Sequence, residues 1–259
     1  MNPGPVLVDA HAHLDDEAFD GDRSELLRQI QKAGIIVVNA GSDLESSRFS
    51  LELARKWDFV YACVGVHPHE AKKAHPGYIG ELTELARDPK VVAIGEIGLD
   101  YHYDFSPREV QKEVFEKQLL LAKDLGLPVV VHCREALSDV LEILKKSGVK
   151  KGLLHCYTGT LNEARDFLDL GFYFSFGGML TFKKAEDLRK VAKGLPKERV
   201  LVETDCPYLS PEPFRGRRND PTRLVYVVSS LAGIWGISEE EVAEITRNNA
   251  IELFGLELI

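Results

Sequence analysis

Eight short apolar runs, each separated from the next by an amphipathic stretch, constrain this 259-residue chain more than any other feature. The runs are VLVDAH (6–11), IIVVNAG (35–41), VYACVGVH (60–67), VVAIGEIGL (91–99), PVVVHC (128–133), GLLHCY (152–157), FYFSFGG (172–178) and VLVETD (200–205). They are rich in β-branched residues and nearly continuous in apolarity, as strands covered on both faces should be. Between them lie RSELLRQIQKAG, REVQKEVFEKQLLLAKDLG and EALSDVLEILKKSG, whose apolar residues recur at helical spacing and which close on glycine. Eight strand–helix units in one unbroken series predict an α/β protein, a (β/α)8 TIM barrel forming a single domain over residues 1–259. A doubly wound sheet would carry fewer strands and a Gly-rich first turn, and neither G-x-G-x-x-G nor a P-loop motif occurs.

The formal net charge of −9 excludes a broad basic surface for nonspecific nucleic-acid binding. A local phosphate site remains compatible with it, because bound divalent ions add positive charge that side chains do not. The four cysteines, Cys63, Cys133, Cys156 and Cys206, form no C-x-x-C pair and read as free thiols in a reducing compartment. By strand parity Cys133, Cys156 and Cys206 point away from the lumen and pack, and Cys63 packs deep inside it. No apolar run approaches the ~20 residues a bilayer requires. The expectation is a cytoplasmic monomer with no membrane contact and no obligate protein partner.

The strand ends carry the chemistry. In the first run, alternation puts Asp9, His11 and His13 on one face and Ala10 and Ala12 on the other. His67 ends the third run, His132 and His155 lie near the ends of the fifth and sixth, Glu96 lies in the fourth and Asp205 closes the eighth. Six of the eight histidines fall at such positions or just beyond, His69 included. Singly, each has an ordinary structural explanation: a hydrogen-bonded barrel histidine, a Glu–Arg pair, a cap. Jointly they gather at one end of a barrel, where catalytic groups sit. Imidazole and carboxylate are ordinary ligands for zinc, manganese and related ions, and this set holds two ions if one carboxylate bridges them.

The motifs VDAHAHL (8–14), VGVHPHE (64–70), AIGEIGLDYH (93–102), VVVHCRE (129–135), LLHCYTG (153–159), VETDCPYL (202–209) and RGRRNDP (215–221) occur in order along the chain. Together they resemble the TatD family of metal-dependent deoxyribonucleases, within the amidohydrolase-like barrels. The resemblance implies that His11, His13, Glu96 and Asp205 hold one divalent ion and that Glu96, His132 and His155 hold a second, the ions being zinc, magnesium or manganese. Related barrels often bridge their metals with a modified lysine on the fourth strand; this chain offers Glu96 instead, which favours the nuclease branch.

The resemblance further implies hydrolysis of DNA phosphodiester bonds, as a 3′-to-5′ exonuclease on single-stranded ends. Asp205, with Glu96, would be catalytic, Asp205 taking a proton from the attacking water. His67, Arg134, Tyr101 and Arg217 are the candidates for substrate contact, and Asp9 and Glu203 for support behind the metal ligands. Arg215 and Arg218 share the RGRRN loop, of whose three arginines two should be solvated. The competing reading is an amide or ester hydrolase on the same barrel, including an aminoacyl-tRNA deacylase.

Overall fold

The computed structural model describes residues 6–257. Its strands are β1 (Leu7–Ala12), β2 (Ile35–Ala40), β3 (Val60–Val64), β4 (Val91–Asp100), β5 (Val129–Arg134), β6 (Gly152–Leu154), β7 (Phe172–Phe176) and β8 (Val200–Val202). All ladders are parallel and the strands lie in sequence order, the arrangement of a (β/α)8 barrel. The helices are α1 (Arg23–Lys32), α2 (Leu44–Lys56), α3 (Tyr78–Leu85), α4 (Arg108–Leu125), α5 (Leu137–Ser147), α6 (Leu161–Asp169), α7 (Glu186–Gly194), α8 (Leu224–Trp235) and α9 (Glu239–Phe254). Their starts follow ordinary capping chemistry: Asp43, Thr160 and Ser238 each accept from the backbone three residues on and begin α2, α6 and α9 with a capping box. Among the described residues no helix is long and apolar enough to cross a membrane.

Apolar side chains form two layers. One joins the outer face of the strands to the helices, through residues such as Leu7, Val37, Val129 and Phe174. The other fills the lumen with Val8, Ile36, Tyr61, Val130, Leu153 and Leu201, and Leu253 and Phe254 at the end of α9 and Leu256 just past it join it. These lumen residues sit at the N-terminal ends of the strands, so α9 plugs that mouth and leaves the C-terminal mouth open. Cys63 lies fully buried in the lumen layer, as its parity suggests.

Two departures from regular alternation shape the open mouth. The β1–β2 register shifts between Asp9 and Ala12. Val8 and Ala10 therefore belong to the lumen layer while Ala12 belongs to the outer one, which corrects the simple reading that placed Asp9 with His11 and His13. The second departure is the closing seam. Among the described residues no ladder joins β8 to β1; instead Asp205 N donates to His11 O at 2.9 Å and His13 N to Cys206 O at 2.8 Å. Asp9 fastens this seam by accepting from Thr204 N at 2.8 Å and Thr204 Oγ1 at 2.5 Å.

Candidate metal centre

The β1 bulge, the middle of β4, the C-terminal half of β5 and the turns after β3, β6 and β8 bring seven donor residues together. His11 Nε2 and His13 Nε2 are 3.1 Å apart. Glu96 Oε2 is 3.3 Å from the first and 3.5 Å from the second, and Asp205 Oδ1 is 3.8 and 3.5 Å from them. Donors at tetrahedral positions on bonds of about 2.1 Å would be ~3.4 Å apart, so the mutual distances of His11, His13 and Asp205 lie near the spacing one ion requires, with a Glu96 oxygen beside both imidazoles. The other Glu96 oxygen, Oε1, faces a second group: His155 Nε2 at 2.8 Å, His132 Nδ1 at 3.0 Å and His67 Nε2 at 3.3 Å. Among the described residues three triads have donor atoms close enough together to hold a metal ion, His11–His13–Asp205, His11–Glu96–His155 and His67–Glu96–His132, and Glu96 belongs to two of them.

Tautomers are set from behind. His13 Nδ1 lies 2.9 Å from the Ala40 carbonyl, which can only accept, so neutral His13 presents the Nε2 lone pair to the cluster. His132 is turned the other way, with Nε2 3.0 Å from Asp100 Oδ2, which frees Nδ1 toward Glu96. Burial opposes protonation of His13, but the Asp205 and Glu96 carboxylates outweigh it and raise its pKa to about 10. Burial lowers His67 to about 4. Glu96 is held well below the ordinary value: burial opposes its charge, and His155, His67 and His11 overcome it.

The expected substrate residues divide. His67 lines the cavity from within the donor cluster, its Nε2 3.3 Å from Glu96 Oε1. Arg134 is exposed and borders the cavity, which measures about 970 Å³. Tyr101 turns away from it: its hydroxyl donates to Asp139 at 2.6 Å and Arg108 covers its ring at 4.2 Å. Arg217 does not border the cavity; its backbone closes a turn, with N donating to Phe214 O at 3.0 Å. Its neighbours in the RGRRN loop are engaged elsewhere, Arg218 with Asp22 and Arg215 over Phe182.

The supporting residues divide too. Asp9 reaches no imidazole; its partners are Thr204 and the His11 backbone N, and burial lifts its carboxyl to about 8 despite the Thr204 donors. Glu203 accepts from Ser175 Oγ at 2.5 Å, and its Oε1 stands 3.8 Å from His155 Nδ1. Cys206 packs in the outer layer, but Cys156 and Cys133 both border the cavity. Parity fails for Cys156 because β6 ends at Leu154 and Cys156 takes a left-handed φ of 46°. The residue that sequence reasoning missed is Asp100, the last residue of β4. It is fully buried and directly follows the fourth apolar run, so it met the criterion that singled out His67 and Asp205, a polar side chain where an apolar run ends.

Five imidazoles and two carboxylates at the C-terminal mouth of a parallel barrel define a metal-dependent hydrolase of the TIM-barrel kind. The chain belongs to the TatD family, for the family model described as TatD related DNase matches residues 8–255. Among curated proteins it is 44% identical to the uncharacterized metal-dependent hydrolase YabD of Bacillus subtilis, over 96% of this chain and 99% of that one. It is 33% identical to the 3′-5′ ssDNA/RNA exonuclease TatD of Klebsiella pneumoniae, over 97% of this chain and 99% of that one. Among solved structures, the TatD homologue YJJV of Escherichia coli K12 superposes with a TM-score of 0.92 at 32% identity, covering 98% of this chain and 99% of that one.

Proposed function

We propose that the chain hydrolyses phosphodiester bonds of DNA with two divalent metal ions, working as a 3′-to-5′ exonuclease on single-stranded ends. The observation that carries this reading is the division of Glu96, whose two carboxylate oxygens face two separate donor groups. His11, His13, Asp205 and Glu96 Oε2 would hold one ion; His132, His155 and Glu96 Oε1 would hold the other, with His67 in reach of the second. Zinc suits so many imidazoles, while magnesium or manganese suits the carboxylates. When bound, the two ions supply positive charge to the attacking and leaving oxygens and acidify water.

The chain's own residues do the rest. Asp205 takes the proton of the attacking water; burial opposes its charge, but the His13 hydrogen bond and the charges of His155 and His11 keep its pKa below the ordinary value. Arg134 offers a bidentate fork to a phosphate next to the scissile one. The printed name of the Klebsiella pneumoniae relative supports single strands as substrate. A net charge of −9 suits a protein that grips only a strand end. We read it as a cytoplasmic monomer.

The test is cleavage of a 5′-labelled single-stranded DNA oligonucleotide by metal-stripped protein given magnesium, manganese or zinc, beside Asp205→Asn. A metal-dependent ladder shortening from the 3′ end, and lost in the variant, is the expected result. No cleavage with any metal despite two bound equivalents would overturn the reading in favour of amide or ester hydrolysis.

A further inference from the structure

Most exposed aromatic surface on a protein is scattered, and contiguous patches beside a site mark recognition. Here two large rings stand together at the edge of the metal-site cavity: Tyr103 is 47% exposed and Phe105 is 55% exposed, and both border it. Both sit in the turn between β4 and α4. Their rings stack at 5.3 Å between centres and 22° between planes. The guanidinium of Arg134 lies 4.8 Å from the centre of the Tyr103 ring. His69 meets both rings edge-on, at 5.5 and 4.8 Å, and is itself 6.1 Å from His132. The aromatic surface thus begins one ring beyond the metal ligands.

This shelf is held in place by the same carboxylate that orients the metal site. Asp100 Oδ2 faces His132 Nε2 at 3.0 Å and His69 Nε2 at 2.9 Å, while its Oδ1 accepts from Tyr103 N at 2.8 Å and His102 N at 3.0 Å. Gln111 of α4 ties the base of the turn, bonding Asp100 N at 2.8 Å and Ser106 O at 2.8 Å, and Ser106 Oγ donates to His69 O at 2.9 Å. Rings left in water on a turn this fully bonded are presented in advance of any ligand, which lowers the ordering cost of binding.

We infer that Tyr103 and Phe105 form a base-stacking subsite, on which a nucleobase next to the scissile phosphodiester rests while Arg134 takes the phosphate beside it. The inference builds on the nuclease reading and names how such a site recognises its substrate. Stacking accepts every base, because each has a π-face, and Arg next to an aromatic ring serves both charge and stacking. Tyr226 provides a control: it is 38% exposed on α8, packs against Phe214 and does not border the cavity.

The test is a fluorescence titration with a single-stranded oligonucleotide that carries 2-aminopurine as its 3′-terminal base and phosphorothioate linkages to slow cutting. The parent protein and Tyr226→Ala should bind it and quench the fluorophore. Phe105→Ala and Tyr103→Ala should bind about ten- to a hundredfold more weakly and lose the quenching, and Phe105→Tyr should restore both. With an oligonucleotide whose terminal residues are abasic, the same alanine variants should lose less than twofold relative to the parent protein. Equal losses on intact and abasic ends, or quenching that survives both alanine variants, would overturn the shelf. Binding and quenching of this probe, together with no cleavage of the unmodified 5′-labelled oligonucleotide under any metal, would overturn the nuclease reading and leave the shelf standing. No binding by the parent protein would overturn both.

Discussion

At the scale of single residues, the chemistry depends on groups that hold other groups. Asp100 is the clearest case: it touches no donor atom of the cluster, yet it fixes which nitrogen of His132 faces Glu96. Such carboxylates behind a ligating imidazole are worth about ten- to a hundredfold in metal affinity. Asp100→Asn replaces one acceptor oxygen with an amide that cannot accept from an imidazole N–H. Its expected effect is a ten- to hundredfold weaker second ion with the first unchanged, read by metal titration against a competing chelator; equal weakening of both would contradict it. The individual donors were legible in the sequence because a buried polar group at the end of an apolar run has a cost that demands a partner. Tyr103 was not legible. Tyr101, Tyr103 and Phe105 alternate along one short turn, and only the hydrogen bond from Tyr101 to Asp139 decides which rings are turned away.

At the scale of elements, the strands place the donors and small residues let the strands approach. Gly98 of β4 has a φ of 141°, and a Cβ there would collide with the carbonyl oxygen of His132 on β5. Gly98→Ala therefore strains the backbone and pushes apart the two strands that carry Glu96 and His132. The expected cost is about 2 to 4 kcal/mol in unfolding free energy, visible as a lower denaturant midpoint, with weaker metal retention in the protein that remains folded. An unchanged midpoint would mean the β4–β5 contact is looser than described. Strand existence followed from composition, but strand ends did not. VYACVGVH and VLVETD read as runs of eight and six residues, whereas β3 stops at Val64 and β8 at Val202. Beyond those points the chain leaves the ladder so that His67 and Asp205 can turn into the mouth, Asp205 with a left-handed φ of 53°.

At the scale of the whole molecule, the barrel works as a frame that forces like groups together, and this couples metal to stability. Without an ion, imidazoles and carboxylates share protons, as the rise of His13 to about 10 reflects. An ion needs that imidazole unprotonated, so protons compete with metal and metal uptake releases them. A ligand bound only by the folded state and present at ~1,000 times its Kd adds about 4 kcal/mol. For a domain of this size that is on the order of 10 °C in Tm. Stripping the metal should lower Tm by that order, and the gap between loaded and stripped protein should widen from pH 6 to pH 8. A gap that narrows over that range would show that proton competition is not what limits loading.

The sequence by itself determined the fold class, the end of the barrel that carries the chemistry and the donor types, because apolar period and the cost of burying polar groups are local properties of a chain. The pairing of donors across the mouth was decided only by the tertiary structure. Which oxygen of Glu96 meets which histidine, that Asp9 fastens the β8–β1 seam, and that Tyr103 and Phe105 face the cavity all depend on bulges, seams and turns. Those features arise where strands from distant parts of the chain must close a circle, and no short stretch of sequence records that constraint.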